Sequence, residues 1–335
     1  MLETLIRKSG VAMTAAVIMS LRLAGPAAAD GGAVLVTPVL DHPVEREANL
    51  VYCGTFQMAW DRMTREMIGE KILLDERTGL VDRLNRNMTS GSGAGGQDPP
   101  GCLVMAGYGR DSIADRINEE LKRRFGDGAP LLDRSLNDDD VILAYAFLDK
   151  VSRFVNPFQR YDSPLVFAGP GGGRAVRAFG AGYGETDGLS AIRGQAEVLE
   201  YRRGGGFIVR LATGDEEEEL ILASVEPCAT LLETCEEVEW RVAAASAEPL
   251  GPSDVLVVPL LDLSATRSFT PLLGRHLLNE GFREYFVAEA RQDVRFRLDE
   301  SGTSLGSSGT FVLEKGGPEG KSLIFRNPFL LYLKR

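Results

Sequence analysis

Histidine is almost missing. Two residues, His42 and His276, are the whole supply in 335 positions. A histidine-rich zinc centre is therefore excluded, and a mechanism that needs a histidine base has two candidates only. Basic residues are outnumbered, 37 against 48 acidic, and the formal net charge is −11. That balance argues against nucleic-acid binding, which needs clustered Lys and Arg on phosphate. There are four cysteines and no Cys-x-x-Cys, so neither a zinc knuckle nor a thioredoxin-type site is supported. No run of eighteen apolar residues occurs, so no membrane-spanning helix is expected. No repeat is visible, and 44% hydrophobic residues exclude a wholly disordered chain.

The amino terminus carries a basic pair, Arg7 and Lys8, an apolar run from Val11 to Leu21, and an Ala27-x-Ala29 sequence. This is the order of an export signal, read as residues 1–29 and cleaved before Asp30. Its removal takes away Arg7, Lys8 and Arg22 against Glu3 alone, so the mature chain is still more acidic. Residues 30–335 are read as a single domain in a secreted or periplasmic protein. Export permits disulfides. Cys228 and Cys235 are close in sequence and are candidates for one bridge, which leaves Cys53 and Cys102 for another. Three connectivities are possible, and buried free thiols are the competing reading.

Along the chain, Phe56, Ala59, Trp60, Met63 and Met67 share one helical face that ends at Gly69. This is core spacing and not a cofactor box. Ser112 with Asp115 reads as a capping box opening a second helix, with Ile113, Ile117 and Leu121 as its stripe and Gly126 as its stop. Residues 89–101 form a Gly/Ser/Pro loop, and Asn87-Met88-Thr89 is a glycosylation sequon only in a eukaryotic host. Strands follow. Val141–Leu148 is apolar on both faces. Phe207–Leu211 and Leu220–Val225 flank a turn. Val255–Leu263 is one apolar run with Pro259 as a bulge or edge marker. Val294–Leu298 alternates, and Phe329–Leu333 reads as a central strand. Helices first and strands later, without βαβ alternation, give an α+β class.

Several motifs suggest chemistry. Gly302-Thr303-Ser304-Leu305-Gly306 fits the nucleophile-elbow pattern, but no His follows Ser304. An order His276–Asp293–Ser304 is formally open. The glycine-rich stretches 169–174 and 180–184 lack phosphate-loop context and read as flexible connections. Acidic runs 138–140 and 215–219 read as solvated turns, with weak calcium binding as the alternative.

The carboxyl-terminal residues bear a family resemblance. Phe296 to Thr303 leads into a small-residue stretch, a polar segment, and then Phe325-Arg326-Asn327-Pro328-Phe329-Leu330-Leu331-Tyr332-Leu333. This resembles the end of the serpins: an apolar strand, an acidic-Gly-Thr hinge, a reactive-centre loop and a buried strand opened by Pro-Phe. Echoes run in the family's order through Asn49–Tyr52, the Trp60 helix, Leu143–Phe158, Ala196–Leu211 and Val255–Gly274. The resemblance implies a divergent, bacterial-type serpin. It also implies helices on a large mixed sheet, a smaller barrel-like sheet and an exposed loop near the carboxyl terminus.

It further implies a monomeric, non-enzymatic suicide substrate for a serine protease, without cofactor, nucleic acid or membrane. The hinge is Glu300, Gly302 and Thr303. The scissile region is Lys315, Gly316 and Gly317, and a Lys there suits a trypsin-like enzyme. Residues 303–322 are expected to form the mobile loop between Val294–Leu298 and Phe329–Leu333. Two departures favour a non-inhibitory binding or structural relative. Only a short segment separates the Ser112 helix from the Val141 strand, where the family fits a further helix. Leu305, Gly306 and Gly309 interrupt the small, strand-compatible run that loop insertion needs.

Overall fold

A computed structural model describes residues 13–19, 34–45, 49–88, 101–151, 153–169, 172–182, 189–216, 218–300 and 320–334. In chain order the elements are β1 (Met13–Met19), β2 (Val34–Thr37), β3 (Asn49–Cys53), α1 (Thr55–Met63), α2 (Gly79–Arg86), β4 (Cys102–Tyr108), α3 (Ile113–Phe125), β5 (Val141–Val151) and β6 (Gln159–Gly169). Then come β7 (Gly172–Ala181), α4 (Leu189–Gly194), β8 (Ala196–Tyr201), β9 (Phe207–Ala212), β10 (Glu219–Ser224), α5 (Leu231–Ala243) and β11 (Glu248–Pro249). The last are β12 (Val255–Pro259), β13 (Leu261–Ser268), β14 (Phe286–Leu298), β15 (Ser322–Ile324) and β16 (Phe329–Lys334). The chain divides into two compact units. One comprises Met1–Tyr52, Val151–Asp262 and Arg297–Arg335, the other Cys53–Lys150 and Leu263–Phe296.

The first unit is built on an eight-stranded sheet, in the order β11-β8-β9-β10-β16-β1-β3-β2. β16 is interior because every residue from Phe329 to Leu333 is apolar and buried, so both of its faces must be covered. α5 covers one face: Leu231, Cys235 and Val238 pack with Ile221, Leu330 and Tyr332. α5 opens with a reciprocal capping box between Thr230 and Glu233. β9 and β10 form the expected hairpin, with Leu222 opposite Val209. Glu218 in its turn is not solvated; it is 7% exposed.

A second sheet in this unit runs β15-β12-β7-β6. The described residues of both glycine-rich stretches lie in or beside its strands. Gly169 pairs with Gly172 where the β6–β7 hairpin turns. Gly180 lies within β7, and a Cβ there would run into the Leu256 carbonyl of β12. The apolar run Val255–Leu263 is two strands and not one. Pro259 closes β12, the Leu260 amide donates to the Arg177 carbonyl (2.9 Å), and the chain leaves for another sheet as β13.

The other unit has the sheet order β13-β14-β5-β4. Alternate residues of β5 serve opposite faces. Leu143, Tyr145 and Phe147 pack with Ile113, Ile117 and Leu121 of α3. Ile142 and Ala144 meet Phe56, Trp60 and Met63 of α1. α1 continues as a π-helical turn to Ile68, and Gly69 ends it at φ 81°. The Ser112 capping box does not form: Ser112 is left-handed and makes no side-chain cap. Asn137 replaces it, its Oδ1 accepting from the Ala114 amide (2.9 Å) and its amide donating to Asp115 (3.0 Å).

Two further expectations are corrected. All three sheets are open, so no barrel-like sheet closes among the described residues. No disulfide joins any of the four cysteines. Cys235 points from α5 into the core, while Cys228 lies before the helix, its amide held by Thr234 Oγ1 (3.0 Å). Cys53 is buried with its Sγ on Thr55 Oγ1 (3.1 Å), and Cys102 is buried at the start of β4.

Candidate functional site

Of the expected hinge and scissile residues only Glu300 is described; the segment 301–319, with Gly302, Thr303, Ser304, Lys315, Gly316 and Gly317, lies outside the described residues. The two stems that hold it are described. The amino stem is β14, longer than the alternation at Val294–Leu298 predicts because it begins at Phe286. Leu298 is fully buried at its end. Two residues on, the Glu300 carbonyl accepts from the Phe158 amide (2.7 Å). The Glu300 carboxylate pairs with Arg160 (3.3 Å), and its Oε2 is buried without a hydrogen-bond partner. Phe158 is itself fixed in a cluster with Phe154 and Phe179, at centroid distances of 4.7 and 5.7 Å. The Asn156-Pro157-Phe158 turn therefore anchors Glu300.

The carboxyl stem is held more tightly. Gly320 admits no side chain, because a Cβ would strike the Ser253 carbonyl. The Lys321 amide donates to Asp254 Oδ1 (2.7 Å) while the other oxygen of the same carboxylate takes the Gly251 amide (2.8 Å). The Lys321 carbonyl accepts from Val255 (2.9 Å), and its ammonium reaches Glu248 (2.6 Å). The chain then runs as β15, parallel to β12, with Ser322 opposite Val255. Leu323 and Phe325 are fully buried, and the Phe325 ring packs edge-on against Phe207 and tilted against Phe329. The segment thus does not run straight into Phe329; β15 intervenes.

Asp254 and Gly320 escape a reading of the sequence as strands and loops. The legible signal is Gly251-Pro252-Ser253-Asp254, a turn whose carboxylate can take a backbone amide close by.

No catalytic pairing of the two remaining triad members forms. Asp293 accepts from Tyr145 (3.3 Å), Arg291 (3.0 Å) and Thr266. The His276 ring lies against Phe286, 5.8 Å between centroids. His42 reaches only the Pro43 carbonyl, through Nδ1 (2.9 Å). Among the described residues no three metal-binding side chains converge, and no helix is long and apolar enough to cross a membrane.

No family model and no curated protein matches the chain. Solved structures do. A thyroxine-binding globulin in complex with thyroxine is similar over 67% of this chain and 64% of its own, at 11% identity and a TM-score of 0.44. A serpin from the trematode Schistosoma haematobium is similar over 68% and 63%, at 14% identity and a TM-score of 0.43. Maspin is similar over 67% and 65%, at 14% identity and 0.42. The chain spans less than two thirds of the length of each.

Proposed function

We propose that this chain is an exported serpin-type protein whose segment 301–319 is offered to a serine protease as a one-use substrate. The observation that carries the reading is the pair of stems. A strand, β14, delivers the chain to Glu300, and a locked turn at Gly320–Lys321 receives it into β15. A segment tethered at both ends in this way can be engaged by a protease cleft while both of its ends stay with the protein. Cleavage at Lys315 would free the amino-terminal part to continue from β14 as a new strand, trapping the acylated protease.

Incubation with a panel of serine proteases tests it. A complex that survives denaturing electrophoresis, formed with a trypsin-like enzyme and lost in Lys315→Ala, is the expected result. Complete turnover to two fragments with no trapped species would overturn it.

The second reading is a non-inhibitory protein of the same fold. Leu305, Gly306 and Gly309 favour it, because glycine weakens a strand and a bulky side chain must find the buried face. Turnover without trapping, with no gain in thermal stability, belongs to this reading.

A further inference from the structure

β1 is not at the margin of its sheet. It lies between β16 and β3. Its register on β16 is antiparallel and continuous from Ala15 opposite Leu333 to Met19 opposite Phe329, with Ile18 opposite Leu330. The far edge of β16 is taken by β10, and the far edge of β3 by β2. Met13–Met19 has no charge, no proline and no glycine, as an interior strand requires. The same residues form the middle of the apolar run that separates Arg7-Lys8 from Ala27-x-Ala29. The strand and the expected export signal are therefore roles that a single processed molecule cannot combine. Cleavage after Ala29 would draw a strand out of the interior of the sheet.

We infer that the space between β16 and β3 is a strand-acceptor site, and that its occupant is this chain's own Met13–Met19, docked antiparallel to β16. Without that strand, β16 and β3 each turn a row of unpaired N–H and C=O groups toward the other, which is the template for strand addition. Direct pairing of the two would require a movement of one strand spacing, about 4.8 Å. β16 resists it. It is bonded to β10 along its other edge, and Leu330 and Tyr332 are set in the core under α5. The Tyr332 hydroxyl also donates to Glu239 of that helix. Where export processing occurs, it converts a continuous sheet into one with a vacant, strand-wide slot. The inference rests on strand pairing and does not depend on the inhibitor reading.

The test uses the full-length chain. Ile18→Cys with Leu330→Cys should cross-link under mild oxidation, since antiparallel partners lie within disulfide range. Ile18→Cys with Leu331→Cys, one register away and on the opposite face, should not. By hydrogen exchange, the amides of 13–19 should exchange at least about a hundredfold more slowly than in a free peptide of that sequence.

A third form carries a site-specific protease sequence in place of residues 24–29 and is cut after folding. Its amino-terminal fragment should co-elute with the body until denaturant is added, and Val17→Pro should release it. Exchange of 13–19 at the free-peptide rate would overturn the inference. So would separation of the fragment at once from a body that keeps its melting temperature.

Discussion

A single carboxylate, Asp254, ties together the turn that begins at Gly251 and the stem that begins at Lys321. The group is 6% exposed, so its removal leaves two amides with little access to water. Asp254→Ala should cost about 1.5–3 kcal/mol, the range for hydrogen bonds to a charged group. Equilibrium urea unfolding measures it, and Asp254→Asn should recover part. Glu200 offers a test of a different kind. The Arg241 guanidinium, aided by Arg202, holds its carboxyl below the usual carboxylate range. A lowered folded pKa contributes stability that is complete above the unfolded value, about 4.3, and is lost as pH falls through the folded value. A carboxyl titration by NMR should place Glu200 below that reference, and Arg241→Ala should move it back up. An unmoved titration would show that Arg241 is not the cause.

At the level of elements, α5 is the piece whose start can be weakened without touching its packing. Thr230→Ala removes the acceptor for the Glu233 amide (3.2 Å) and should cost about 1 kcal/mol, read as a shift in the urea midpoint. The contrast with Ser112 shows where the sequence was legible. Ser112-x-x-Asp115 has the residue types of a capping box, yet Asn137 from a distant loop supplies the cap and Ser112 turns left-handed. Nothing local distinguishes the two cases, because the competitor is a long-range hydrogen bond. Periodicity succeeded where burial alone decides, as in the α1 face, the β9–β10 hairpin and the all-apolar β16.

Periodicity failed at Pro259, where one apolar run is shared between two sheets, and it could not show β1. A buried strand and the apolar centre of an export signal have the same composition, so residues 13–19 could be read only as the latter. Of the two stems, Glu300 was singled out in the sequence by its Gly-Thr neighbours, while Phe158, Gly320 and Asp254 required the fold. Gly302, Thr303, Lys315, Gly316 and Gly317, expected as hinge and scissile region, lie outside the described residues.

For the whole molecule, the stems predict where proteolysis starts. Lys315 and Lys321 are the basic residues nearest the segment's end, but the backbone of Lys321 is bonded on both sides. A protease must draw out an extended strand of substrate, so trypsin should cut first at Lys315 and spare Lys321. Mass spectrometry of the first fragments settles this. Thermal melts of the intact and singly cut protein then separate the two functional readings. If the freed segment enters a sheet, burial of Leu305, Phe311 and Val312 at roughly 1.5–3 kcal/mol each should raise the midpoint by many degrees. An unchanged midpoint would assign the chain to the non-inhibitory reading.

The position of β16 has a consequence for biosynthesis. Its partner β10 ends at Ser224, and β16 does not begin until Phe329. During translation, the edge of β10 and the apolar face of α5 emerge long before the strand that covers them. Throughout that interval the nascent chain carries an unsatisfied strand edge beside a greasy surface, the combination that drives aggregation of partly made proteins. The first unit can close only after residues near the end of this sequence have left the ribosome. Its synthesis is therefore expected to lean on whatever chaperone meets the chain first.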